Sequence, residues 1–313
     1  MKRTDWHGWL LGGLMLLLLL PSSGGGHIQE EELEFSRRRY LKGLDMLRQL
    51  HEKILALDHH FYAMQTGQRV LELGNPNAFP EFQKHWEQLT QSLTRRQELP
   101  ASLRENPYAL TSLGLMGAYQ GRSTQPEALE ALACILDFTV QLQADLRLIH
   151  IENELLCRDI QQLRGQCAQL FADYVRPLEY SGDLDQCRRQ DEWEQLRIRL
   201  DDYFIKLRAA RRNPAQVQEA YRQHIHLEFA VDRLLEFLRM YSAFIRQSAG
   251  YYLKFDAVLE QYARGNPCTE QMPPRFHRLR EDLRQAIHKF HDAYDLAEFQ
   301  GSRMKDLLYG FAD

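Results

Sequence analysis

The chain is poor in the features that announce a chemistry. Among its five cysteines no C-x-x-C occurs, which removes the common zinc and dithiol spacings. There is no G-x-S-x-G turn and no strand pattern to hold one, so a hydrolase of that kind has no support. A Gly-rich phosphate loop is missing as well, and no motif calls for a cofactor. Basic residues are not in excess: 39 Lys and Arg stand against 43 Asp and Glu, a formal charge of −4. With a pI near 6.3 the chain lacks the electrostatic footprint of a nucleic-acid-binding protein, and that class is set aside. Helix breakers are scarce where it matters. Glycine clusters before residue 27 and most prolines fall in the gaps between periodic runs, leaving long stretches free to be helical. No self-similar repeat of fixed length appears, so a solenoid is not expected.

What is present is apolar periodicity. From Leu227 to Tyr262, alternating steps of three and four select Leu227, Ala230, Leu234, Phe237, Tyr241, Phe244, Ser248, Tyr251, Phe255, Val258 and Tyr262. A second row, Val231, Leu235, Leu238, Ile245, Tyr252 and Leu259, lies one residue further round. Two adjacent rows are too wide for a single partner, so this helix should touch at least two others. The small residues Ser248, Ala249 and Gly250 interrupt its aromatic face. A close approach by another backbone, or a bend, would explain them.

Residues 1–26 read as a separate unit. Lys2 and Arg3 precede the apolar run Trp9 to Leu20, and Pro21 to Gly26 are small or turn-forming. That is the layout of a secretory signal cleaved near Gly24, and the alternative is a single-span anchor to an inner membrane over residues 6–24. Both readings place residues 27–313 outside the cytoplasm, which in a bacterium means the periplasmic side.

The remaining chain divides into helices. Ile28 to about Leu73 keeps helical spacing through Leu33, Tyr40, Leu44, Leu47, Ile54, Leu57, Phe61 and Met64, with Glu30, Glu31, Glu32 and Glu34 near its start to complement the dipole. Residues 75–125 form an excursion of short helices, one from Pro80 to about Gln97 and one from Pro107 to Tyr119, and its Phe79, Trp86, Tyr108 and Tyr119 are candidate binding residues. The plainer reading of these aromatics is that they fasten a hairpin to the rod. After Pro126 a strict seam runs through Leu132, Ile135, Thr139, Leu142, Leu146, Ile149, Asn153, Leu156, Ile160, Leu163, Cys167, Leu170 and Tyr174. Asn153 within it is expected to fix register at a cost in stability. Asp183 is expected to cap the next helix, with Trp193, Leu196, Leu200, Tyr203 and Leu207 inward and Arg211-Arg212 near its end to suit the negative pole, and Pro273-Pro274 precedes a last one through Leu283, Ile287, Phe290, Tyr294, Ala297, Gly301, Met304, Leu308 and Phe311.

Candidate chemistry rests on two patterns. His150 with Glu154, His224 with Glu228, and His288 with Asp292, joined by His291, share helix faces and are the residue types of bundle metal sites. The spacing is not that of the carboxylate-bridged proteins, and rise per residue sets the pairs on different levels, so exposed or core-edge histidines are the plainer reading. Cys134, Cys157 and Cys167 share one helix and lie too far apart to bridge one another; Cys187 and Cys268 lie near helix ends and form the candidate disulfide. Such a bridge requires a bend at Ser248 to Gly250.

These observations predict an all-α fold: an elongated antiparallel bundle of long coiled-coil-like helices with a small helical excursion. The leading functional reading is an exported or membrane-tethered adaptor or assembly factor with a protein partner in the cell envelope. A ligand-sensing bundle with a gap at Ser248 to Gly250 is the alternative, and a metal-dependent enzyme at the histidine pairs is third. Seams this regular could also close between chains, so a homodimer stands beside a monomer.

Overall fold

The protein is described by a computed structural model covering residues 25–64, 75–94, 126–264 and 272–294, with Leu73, Ala109, Ser112 and Asp306 as isolated residues. Its helices are α1 (Gly25–Met64), α2 (Pro80–Thr94), α3 (Pro126–Val175), α4 (Gln190–Arg212), α5 (Val217–Arg264) and α6 (Pro274–Ala293), and no strand occurs among the described residues. The all-α bundle follows from the seams. All thirteen positions named on α3 are buried, as are the inward rows of α5 apart from the half-buried Leu235 and Val258.

Three long helices make the central layer. Tyr40 stacks on Tyr174, Cys167 lies against the Leu47 carbonyl, and Gln161 bonds Asp58, so α1 and α3 meet with rising numbers on one against falling numbers on the other. The same order holds between α3 and α5, where Asp173 meets Arg233, Glu152 meets Lys254 and Asp145 meets Tyr262. At 50 residues α3 is roughly 75 Å long, at 1.5 Å per residue. The shorter helices complete the two ends. α4 covers α1 and α5 where α1 begins and α3 finishes; α6 packs on α5 near Tyr252 and Glu260, and α2 packs on α3. The width of the α5 face is accounted for, since α5 touches α1, α3, α4 and α6.

Several expectations are corrected. α1 begins at Gly25, so two glycines of the expected linker are helical and Glu30 lies beyond the first turn, where the dipole effect has faded. The acidic row pairs with α4 instead: Glu30 with Arg212, Glu32 with Arg211, Glu34 with Arg208. Asp183 caps the amide of Gln186 in a short 3-10 turn, Gln186–Arg188, rather than opening α4. On α4 Trp193 is buried as expected, but Phe204 is inward in place of Tyr203, which is half-buried. α5 runs unbroken through Ser248 to Gly250, Ser248 returns its hydroxyl to the Phe244 carbonyl at 2.9 Å, and nothing lies within 4 Å of where a Gly250 Cβ would stand. Backbone approach therefore does not explain Gly250. Apart from Ala109 and Ser112, which are helical, the expected helix over residues 107–119 lies outside the described residues, as does the last seam beyond Tyr294.

Candidate functional site

The polar end of the bundle gathers where α1 starts, α3 stops and α4 turns into α5. Arg39, about four turns inside α1 and buried, pairs with Glu228, which also accepts the Ser36 hydroxyl at 3.0 Å. His224, one turn earlier on α5, sits 3.7 Å from Glu228 and 2.9 Å from Arg211 of α4. Burial, reinforced by the Arg211 charge, holds the His224 imidazole below its ordinary pKa, so it stays neutral at pH 7 and can accept from Arg211. Three helices are thus fastened by one charged cluster whose groups are each matched to an opposite or neutral partner.

Beside this cluster two open grooves adjoin, of about 450 and 710 Å³, sharing Pro177, Tyr203 and Gln223 in their walls. Their charged groups balance: Arg176, Arg199, Lys206 and Arg233 against Asp173, Glu179, Asp202 and Glu219. Asp173 anchors both Arg176 and Arg233. Glu179 is held in the left-handed region at φ 54°, and Arg199 donates to its carbonyl at 2.8 Å. Phe229, 61% exposed, stands on the groove wall, and Ile225 and Tyr221 continue an apolar row one and two turns back along α5. Balanced charge beside an apolar row suits a polypeptide better than a ligand of one sign.

The residues singled out in the sequence fall elsewhere. Phe79 is fully buried edge-on to Phe138, and the half-buried Trp86 stacks on the buried Phe82, while Tyr108 and Tyr119 lie outside the described residues. His150 lies 3.4 Å from Glu154 on α3, His288 lies 3.4 Å from Asp292 on α6 and is exposed, and His291 is exposed on the next turn. The structure brings none of these pairs together, and no group of three or more metal-ligating side chains occurs among the described residues. The Cys187 disulfide is overturned. Cys187 is a buried free thiol donating to the Tyr180 hydroxyl at 3.3 Å, while the far end of α5 lies against Phe138 and Asp145. Cys268 is outside the described residues. Cys134, which pairing within its own helix could not satisfy, is disulfide-bonded.

The groove was missed in the sequence because its walls come from three helices and a turn. The exposed row Tyr221, Ile225, Phe229 was the available signal: an apolar step of four on a face opposed to the inward seam. Comparison with known protein families, with curated proteins and with solved structures found no match.

Proposed function

We propose that this chain is an exported or membrane-tethered interaction protein of the cell envelope, an adaptor or assembly factor whose contact surface is the groove between α3, α4 and α5. The observation that carries this is the exposed row Tyr221, Ile225 and Phe229 beside a charge-balanced groove on an otherwise firmly packed bundle. Aromatic side chains are enriched among the anchors of protein contacts. Export is supported by the composition of residues 1–26 and by a cysteine held as a disulfide, a bond that persists in oxidising compartments. No helix among the described residues is long and apolar enough to cross a membrane, so any tether is assigned to the apolar run near the N-terminus.

Site-specific photo-crosslinking in the native host tests this reading. A crosslinker at Phe229 or Gln223 is expected to capture one discrete protein, and one at the exposed Leu253 of the opposite end is not. Equal capture at all three positions, or none at any, would remove the groove as the contact surface.

A further inference from the structure

A second apolar face lies on the outer side of α3, away from the core and from the groove. Ala144, Leu148, Ile151 and Leu155 follow one another at steps of four, three and four, all exposed, with Leu148 at 66%. Gln141 and Arg158 stand at the two ends of this seam, and Arg147 and Glu154 flank it on one side. Arg147 and Arg158 are exposed and have no hydrogen bond or ion pair among the described residues.

We propose that this face docks a second copy of the chain, with the two α3 helices antiparallel about a twofold axis. The spacing is nearly the same read in either direction, which a twofold contact requires. Leu148 then opposes Ile151 of the second copy, and Ala144 opposes Leu155, so four residues close four layers. The charges select the direction. In the antiparallel register Arg147 meets Glu154 of the second copy, twice, and Gln141 meets Arg158, twice. A parallel pair would set Arg147 beside Glu152, but it would also set Arg158 against itself and Glu154 beside Asp159. On the other flank the antiparallel register brings Asp145 towards Glu152, a repulsion reduced because Lys254 pairs with Glu152 at 2.7 Å and the Tyr262 hydroxyl donates to Asp145. Glu154 lies 3.4 Å from His150 and keeps 55% of its side chain exposed, so it retains acceptor capacity for Arg147. The seam spans about 17 Å by helical rise, at the small end of specific interfaces, and a dimer in the micromolar range is expected.

Sedimentation of the purified chain, in the form its host accumulates, from about 1 to 100 µM decides the matter, a span bracketing that affinity. The wild type is expected to shift from monomer to dimer across this range. Leu148→Glu should raise the dissociation constant on the order of tenfold or more with an unchanged helical melting curve, because Leu148 is outside the core. Arg147→Glu and Glu154→Arg should each weaken the dimer, and the two together should restore it. A wild type that stays monomeric at the highest concentration overturns the proposal, as does a dimer indifferent to Leu148→Glu. Charge reversals that weaken singly and do not compensate together overturn the antiparallel docking.

Discussion

Gly43 shows how finely the polar end is fitted. A Cβ added there would stand 2.8 Å from the Tyr174 hydroxyl and 3.2 Å from Leu234, and Tyr174 is stacked on Tyr40 with no room to swing. Gly43→Ala should therefore cost about 1 to 2 kcal/mol by denaturant melting, overpacking outweighing a helix-propensity gain of about 1 kcal/mol. At the charged cluster, Glu228→Ala removes the carboxylate paired with the buried Arg39 and should cost about 2 to 3 kcal/mol, less than a fully buried pair because Glu228 keeps 35% of its side chain in water. Two histidines set the pH dependence. Burial lowers the pKa of His60, which bonds the Tyr252 hydroxyl, and burial with Arg211 lowers that of His224. Each folded-state pKa lies below the unfolded one, so the stability linked to these groups is complete above about pH 6.5 and declines as pH falls below it. A melting temperature that drops between pH 7.5 and 5, with a shallower slope in His60→Gln or His224→Gln, is the expected result; identical slopes in both variants would remove these residues as the cause.

At the scale of helices, much was legible. The α3 and α5 seams were readable because each inward residue meets an apolar neighbour whatever the partner, so periodicity alone marks it. The α4 face was less so, since Tyr203 and Phe204 differ by one position and only the neighbouring helices select Phe204. The acidic row of α1 and the basic end of α4 were both visible, but each was assigned to its own helix dipole. Their pairing depends on which helix ends lie together, and topology decides that. The disulfide was misplaced for the same reason: spacing excludes bridges within α3 but says nothing about what approaches Cys134. Non-reducing peptide mapping should find Cys134 oxidised and Cys187 alkylated only after denaturation. Asn153 is buried in the α3 seam with its Oδ1 lacking a hydrogen-bond partner among the described residues. Asn153→Leu should then stabilise the bundle by about 1 to 2 kcal/mol, the desolvation cost of an unmade bond, and a destabilised variant would show that this amide is satisfied in solution.

Among the described residues the molecule is a three-helix core with α4 at one end and α2 and α6 towards the other. The groove end, clamped by Arg39, Glu228, His224 and Arg211, holds the exposed row on fixed helices, which would lower the ordering cost of the proposed contact. The outer face of α3 would join two such ends at opposite poles of a dimer. The most direct test is quantitative affinity purification from the native host, comparing the wild type with a doubly substituted chain, Ile225→Glu with Phe229→Glu. Both side chains are exposed, so the variant should fold and melt as the wild type does. We expect one envelope protein to co-purify in stoichiometric amount with the wild type and to be lost from the variant. The same partner profile from both chains would contradict the groove as the working surface of this protein.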